Sequence, residues 1–327
     1  LLFGAMPSGN AANLPGMPPI LDKSNVYAAD TPDNFVAKVK GFPALVYVPN
    51  TQSNTVQVYD QKTYKLLRTV KVAREPQHVV PSYDLKTLYA NSDLGNSLMP
   101  FDAKTGKPGK RIPLLDPYNL YFTPNGKYAV VMQERMEQIA FADPHTFKIK
   151  KTLKTKCAGV NHADWTADGN IFIASCEFSG TIIAVDTAKM KIINEQFIPD
   201  TYAKHSASTH AGLPNLGPQP QDVKLSPDGK TFYIADMMSD GIWAMPAPWG
   251  KLTYIKTGFG AHGLYVTRDA QKLIITNRDD SSISILQFSD NKIIAKWKIS
   301  GNASPDMGGV SAVSYTHLRA HETRHDL

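Results

Sequence analysis

One position in a repeated short motif carries a polar residue each time. The stretches are "PQHVV" (76–80), "PYNLY" (117–121), "VNHAD" (160–164), "PQDVK" (220–224), "GAHGL" (260–264) and "SPDMG" (304–308). Their third residues are His78, Asn119, His162, Asp222, His262 and Asp306, at spacings of 41, 43, 60, 40 and 44. Three imidazoles, two carboxylates and an amide form a donor set for a divalent transition metal such as zinc, copper, iron or nickel. The same groups suit acid–base work when burial shifts their protonation. Set too far apart for one ion, they suit a larger ligand. A structural reading stands beside these: each side chain ties down backbone groups of a neighbouring repeat and meets no ligand.

The elements that must position these residues are themselves repeated. Five copies are "PSYDLKTLYANSDLGNSLMPFD" (81–102), "FTPNGKYAVVMQERMEQIAFAD" (122–143), "WTADGNIFIASCEFSGTIIAVD" (165–186), "LSPDGKTFYIADMMSDGIWAMP" (225–246) and "VTRDAQKLIITNRDDSSISILQ" (266–287). An earlier copy enters partway as "ALVYVPNTQSNTVQVYD" (44–60). The turns "TPNG", "TADG" and "SPDG" supply the positive φ of a tight hairpin. The runs between them are short and rich in Val, Ile, Tyr and Phe, which is strand chemistry. Closing aspartates Asp60, Asp102, Asp143 and Asp186 recur at spacings of 42, 41 and 43, and a further strand follows each. Four short antiparallel strands every 40-odd residues make the blade of an all-β propeller.

The signature "YVPN" (47–50), with diverged copies "YANS" (89–92), "YIAD" (233–236) and "IITN" (274–277), resembles the YVTN-repeat, YncE-like family of propellers over roughly residues 44–312. The resemblance implies an exported bacterial protein, periplasmic or secreted, and completing the partial blades at both ends gives seven in the full-length protein. It implies no single activity, since propellers are scaffolds. Some similar propellers hydrolyse lactones or esters with a metal, or do redox chemistry with a tetrapyrrole.

Counting along the chain gives about five complete blades plus partial ones. Three strands lie over 44–72, full blades start near 78, 119, 162, 222 and 262, and a further strand begins at "SPDMGGVSA" (304–312). The domain boundaries follow: an irregular Pro- and Asn-rich leader or linker at 1–43, an incomplete propeller at 44–312, and a tail at 313–327. Residues 313–323, "VSYTHLRAHET", resemble a translated sequencing adapter, so the tail is set aside as non-native, its histidines included. "LLFGA" at the start reads either as the remnant of a signal peptide or as a cut fragment.

In a propeller the first strand of every blade is innermost, so the six motif residues meet as a ring at the channel mouth. The long connection "PDTYAKHSASTHAGLPNLGPQPQ" (199–221) belongs on that face and brings His205 and His210. Cys157 and Cys176, the two cysteines of the chain, flank strands of one blade. They read as a disulfide in an oxidising compartment, as two buried thiols, or as part of a metal site with His162. Asp93, Glu134, Asp240 and Asp279 fall in loops near the same mouth.

Other classes recede. The formal charge of +6 permits an anionic partner without requiring one. "KIKKTLKTK" (148–156) holds five lysines and no aromatic to stack a base, so it reads as a guarded edge strand. Nucleic acid is therefore not the expected partner. No apolar run reaches membrane-spanning length. No P-loop, Rossmann, nucleophile-elbow, HExxH or CxxCH motif occurs. Three functions stand open: a metal or small-molecule binder at the ring, a metal- or tetrapyrrole-dependent enzyme using the same ring, and a protein-interaction scaffold.

Overall fold

The computed structural model describes residues 21–32, 34–200 and 217–311. Apart from short 3-10 turns, every regular element among them is a β-strand. They divide into two compact units, one of residues 35–161 and one running on from His162 and including the described part of 21–34.

The first unit holds three antiparallel sheets. A three-stranded sheet is formed by β1 (Leu45–Asn50), β2 (Thr55–Asp60) and β3 (Leu66–Lys71). A four-stranded sheet follows, of β4 (Pro76–Pro81), β5 (Thr87–Ser92), β6 (Ser97–Asp102) and β7 (Ile112–Pro113). The third comprises β8 (Asn119–Phe122), β9 (Ala129–Gln133), β10 (Gln138–Ala142) and β11 (Ile149–Lys154). Its core packs Leu98, Leu120, Val131 and Phe147 across two sheets.

The second unit repeats the plan. Its sheets are β12 (Val160–Trp165) to β15 (Lys191–Phe197), with β13 (Ile171–Cys176) and β14 (Thr181–Asp186) between; then β16 (Pro220–Leu225), β17 (Thr231–Asp236), β18 (Gly241–Pro246) and β19 (Thr253–Lys256). The last is β20 (Ala261–Val266), β21 (Lys272–Asn277), β22 (Ser282–Gln287) and β23 (Lys292–Lys298). Phe232, Ile234, Trp243 and Met245 of one sheet pack on Ile173, Ile182 and Ala184 of the one before. Each large side chain so buried contributes about 1.5–3 kcal/mol. Trp243 keeps its polar end satisfied by donating Nε1–H to Asp236 Oδ2 at 3.0 Å.

Sequence chemistry explains the repeat. In "SPDG", Ser226 Oγ donates to Asp228 Oδ1 at 2.6 Å and Gly229 turns the chain at φ 70°. "TPNG" and "TADG" do the same through Thr123–Asn125 at 2.8 Å and Thr166–Asp168 at 2.6 Å. The closing aspartates cap the next turn: Asp60, Asp102 and Asp143 each accept the backbone N–H and the hydroxyl of a threonine three residues on. Asp186 accepts the N–H of Lys189. These side chains fix the hairpins by local hydrogen bonding. The first strands of the second unit's sheets are mostly buried, whereas β11 and β23 are largely exposed and β15 is partly so.

Six blades result among the described residues, one of three strands and five of four. This corrects the expectation of about five complete blades plus partial ones. The segment 304–311 forms no strand. Pro305 and the pair Gly308–Gly309 disfavour one. The carbonyls there are taken by side chains: Thr276 Oγ1 donates to Asp306 O at 2.7 Å, and Arg268 donates to Val310 O at 2.6 Å and Ser311 O at 2.9 Å. The leader has no strand among its described residues, but it packs on the second unit. Val26 N–H donates to Pro227 O at 2.7 Å and Tyr27 OH to Leu225 O at 2.9 Å.

Candidate functional site

The residues that matter sit where strand pairing is interrupted. In β16 the register with β17 jumps between Pro220 and Val223, and in β20 the register with β21 jumps between Ala261 and Leu264. Each jump is a bulge, a device that re-aims side chains. Asp222 and His262 occupy these two bulges. In β20 the freed N–H of Gly263 donates instead to Thr276 Oγ1 at 2.7 Å. In β12 the N–H of His162 donates to Ser175 Oγ at 3.3 Å, the corresponding substitution of a hydroxyl for a backbone partner.

Four of the six motif residues come together in the second unit. The rings of His162 and His262 lie edge to face, 6.2 Å between centroids at 84°. His262 Nδ1 lies 2.9 Å from Asp306 Oδ1, off the line of a good hydrogen bond. His162 Nδ1 is 3.9 Å from Asp222 Oδ1, too far to share a proton directly. Burial, and then the neighbouring His262, lower the pKa of His162 to about 3, so its imidazole is neutral at ordinary pH. Burial raises Asp222 above the usual carboxylate range, against the pull of Lys224 and the Leu264 N–H.

Asp222 also has the structural role weighed above. Its Oδ1 accepts Val223 N–H and its Oδ2 accepts Leu264 N–H in the next sheet, both at 2.9 Å. Asp164 makes the equivalent strut one blade earlier, accepting Leu225 N–H at 2.8 Å. Lys224 lies 3.9 Å from Asp164. Burial depresses its ammonium, but Asp164 and Asp222 outweigh that and hold its pKa above the ordinary value.

His78 and Asn119 lie in the first unit. His78 stands at a register jump in β4 and packs edge to face on Tyr118, with centroids 5.5 Å apart. Asn119 accepts Leu120 N–H at 2.9 Å and donates to Tyr121 OH at 2.8 Å, which is local structure. His205 and His210 fall outside the described residues, as does the tail 313–327. Cys157 and Cys176 are both disulfide-bonded, so neither is a thiol ligand. Among the described residues, no three His, Cys, Asp or Glu side chains are disposed to hold a metal ion. Within those residues the donor set shows no three-ligand arrangement for the transition metal that the residue types suggest.

A second periodic position escaped the sequence reading. The residue just after the second strand of each four-stranded blade is Asp93, Glu134, Glu177, Met237 and Arg278, at spacings of 41, 43, 60 and 41. Those spacings run alongside the first series and were available as a signal. In the second unit this position adds Glu177 and Arg278 to the site. Arg278 Nη2 lies 3.9 Å from Asp306 Oδ2. Burial raises the pKa of Glu177; a hydrogen bond from Gln221 and the charges of His262 and Arg278 pull the other way. Gln221 sits beside Asp222 on the β16 bulge and is fully buried, and its Oε1 meets no donor among the described residues.

Of the other loop acids, Asp93 and Asp240 are both pushed up to about 6. Burial is the main cause, reinforced by Glu75 and Asp116 for the first and by Asp279 and Asp236 for the second.

Sheets of four antiparallel strands with polar side chains at their first-strand bulges define a β-propeller with a candidate ligand site. The chain belongs to the YNCE-like beta-propeller family, which it matches over residues 31–314. No curated protein is significantly similar in sequence. In structure it is similar to a solved chain of Kuenenia stuttgartiensis hydrazine synthase, with a TM-score of 0.67 and 15% identity, covering 82% of this chain and 87% of that one. At that identity the likeness is one of fold. Among the described residues, no helix is long and apolar enough to cross a membrane.

Proposed function

We propose that the protein is an exported binding propeller whose ligand is a small polar organic molecule, held by His162, Asp222, His262 and Asp306. The observation behind this reading is the pairing of two buried imidazoles in edge contact at 6.2 Å, with a carboxylate beside each. A purely structural ring accounts for Asp222, which serves backbone N–H groups. It does not account for His262, buried beside Asp306, because burying an ionisable group costs stability. The disulfide-bonded state of both cysteines supports export to an oxidising compartment. Recovery of the native protein from cytosol with both thiols reduced would sink that part.

The ligand test is a metabolite screen by thermal shift on the full chain, with His262→Gln and His162→Gln as controls. A hit that stabilises the parent and loses at least about tenfold in affinity in both variants supports the site. Hits indifferent to both substitutions return the ring to a structural role and favour a protein-interaction scaffold.

A second reading has its own observation. Asp306 Oδ1 stands 2.9 Å from His262 Nδ1, close enough that a small turn of either side chain would make the hydrogen bond that orients an imidazole as a general base. Hydrolysis of a lactone or ester would use it. Turnover lost in His262→Gln with binding retained would favour the enzyme over the binder.

A further inference from the structure

The position after the second strand changes character along the chain. Three blades place a carboxylate there, Asp93, Glu134 and Glu177, and a fourth has Met237. The last has Arg278, the one cation of the series. Its side chain is 16% exposed, so most of its contact with water is gone. A guanidinium carries five N–H donors in a planar fork. Among the described residues its side-chain contacts are long: Met237 Sδ at 3.8 Å and Asp306 Oδ2 at 3.9 Å. Neither is a strong acceptor at hydrogen-bond distance. A largely buried fork with most of its donors unspent among the described residues is a site for a planar anion, which it grips through two parallel bonds.

The opposite deficiency lies at the other neighbour of Glu177. Among the described residues Gln221 Oε1 is a fully buried acceptor without a donor. Leaving such an atom unsatisfied is costly. Glu177 ties the two together, since the Gln221 amide bonds to it and it lies within the field of Arg278. Both deficits are met by one molecule that has a carboxylate at one end and a hydrogen-bond donor beside it.

We infer that Arg278 and Gln221 select a small carboxylate bearing an adjacent hydroxyl or ammonium, the class of 2-hydroxy and 2-amino acids. This rests on reading the cluster as a ligand site. Arg278 would hold the carboxylate in its fork. Gln221 Oε1 would accept from the hydroxyl or ammonium. Glu177 favours the ammonium when ionised and tolerates the hydroxyl when protonated, so the choice between the two subclasses falls to experiment.

Calorimetric titration of the full chain with lactate, alanine, propionate and lactamide tests this. Lactate or alanine is expected to bind, and whichever binds names the subclass. Propionate, which lacks the donor, and lactamide, which lacks the carboxylate, should each bind at least about tenfold more weakly. Arg278→Gln should remove the binding while Arg278→Lys retains part of it, with melting curves establishing that both variants fold. Gln221→Leu should erase the preference over propionate. Lactamide binding as tightly as lactate, or lactate binding unchanged in Arg278→Gln, would overturn the inference. If such binding is still lost in His262→Gln, the site stands and only its carboxylate selectivity falls. A folded parent that binds none of the four also overturns the inference, and the broader metabolite screen then decides the site separately.

Discussion

At the scale of single residues, the site is a set of buried polar groups whose costs are measurable. Asp222 accepts two buried N–H groups, from Val223 and Leu264. Asp222→Ala leaves both without an acceptor, at about 1–3 kcal/mol for an orphaned group. A loss of about 2–3 kcal/mol in urea unfolding is expected. A loss under about 0.5 kcal/mol would mean that water takes the place of the carboxylate. His162 makes a prediction in pH. Its folded pKa, about 3, lies below the ordinary 6.5, so the fold favours the neutral ring. The stability this preserves is full above pH 6.5 and is lost as the pH falls from there toward 3. By pH 5 the loss reaches roughly 2 kcal/mol, at 1.36 kcal/mol per unit. Asp93 and Asp240 act in the other sense, since their raised pKa values, about 6, make the fold gain stability as the pH falls from there toward 3.8. The difference between parent and His162→Asn isolates the histidine. The variant should hold its stability better at pH 5 than at pH 7 relative to the parent, and identical pH profiles would contradict the buried, neutral imidazole.

At the scale of elements, the bulges do the positioning. β20 can turn His262 toward Asp306 because Gly263 leaves room beside it. A Cβ on Gly263 would stand 2.6 Å from the Tyr265 hydroxyl and 2.9 Å from the Asp306 carbonyl. Both are closer than atoms tolerate, and one is backbone. Gly263→Ala should therefore push the 304–311 segment away and cost about 1–3 kcal/mol through overpacking. Chemical denaturation reads the stability, and the screened ligand's affinity reads the site. Loss of stability with affinity intact would separate the bulge from the site. Much of this scale was legible beforehand. The "DG" and "NG" turns, the closing aspartates and the 41-to-43-residue spacings define the hairpins, because those contacts lie within a few residues of one another. The failure of 304–311 to form a strand was less legible, since its carbonyls are claimed by Arg268 and Thr276, some 30 to 43 residues away.

At the scale of the whole molecule, the described residues form six blades in two units, with both cysteines disulfide-bonded. Reduction should lower stability by about 2–4 kcal/mol, the usual contribution of such a bond. Melting curves with and without reductant check it, and superimposed curves would remove this support for an oxidising compartment. The lysines of β11 stand exposed with no aromatic stack among them. Any binding of single-stranded DNA should accordingly be weak and vanish by physiological salt, as a filter-binding series would reveal. Tight binding at 0.15 M salt would reopen a nucleic-acid role.

The sequence by itself determined the repeat, the strand order within blades and the position at which polar residues recur. Those follow from turn chemistry, strand periodicity and constant spacing, all local along the chain. Tertiary structure decided which of those residues meet. It joined His162 to His262 across 100 residues. It gave Asp222 to the backbone of the next sheet and made Asn119 a local brace. It also drew in Gln221, Glu177 and Arg278, which nothing in the first motif singled out. The physical reason is the bulge: one inserted residue rotates a side chain out of the ladder, and its new neighbours are set by the packing of sheet on sheet, a relation that no spacing along the chain encodes.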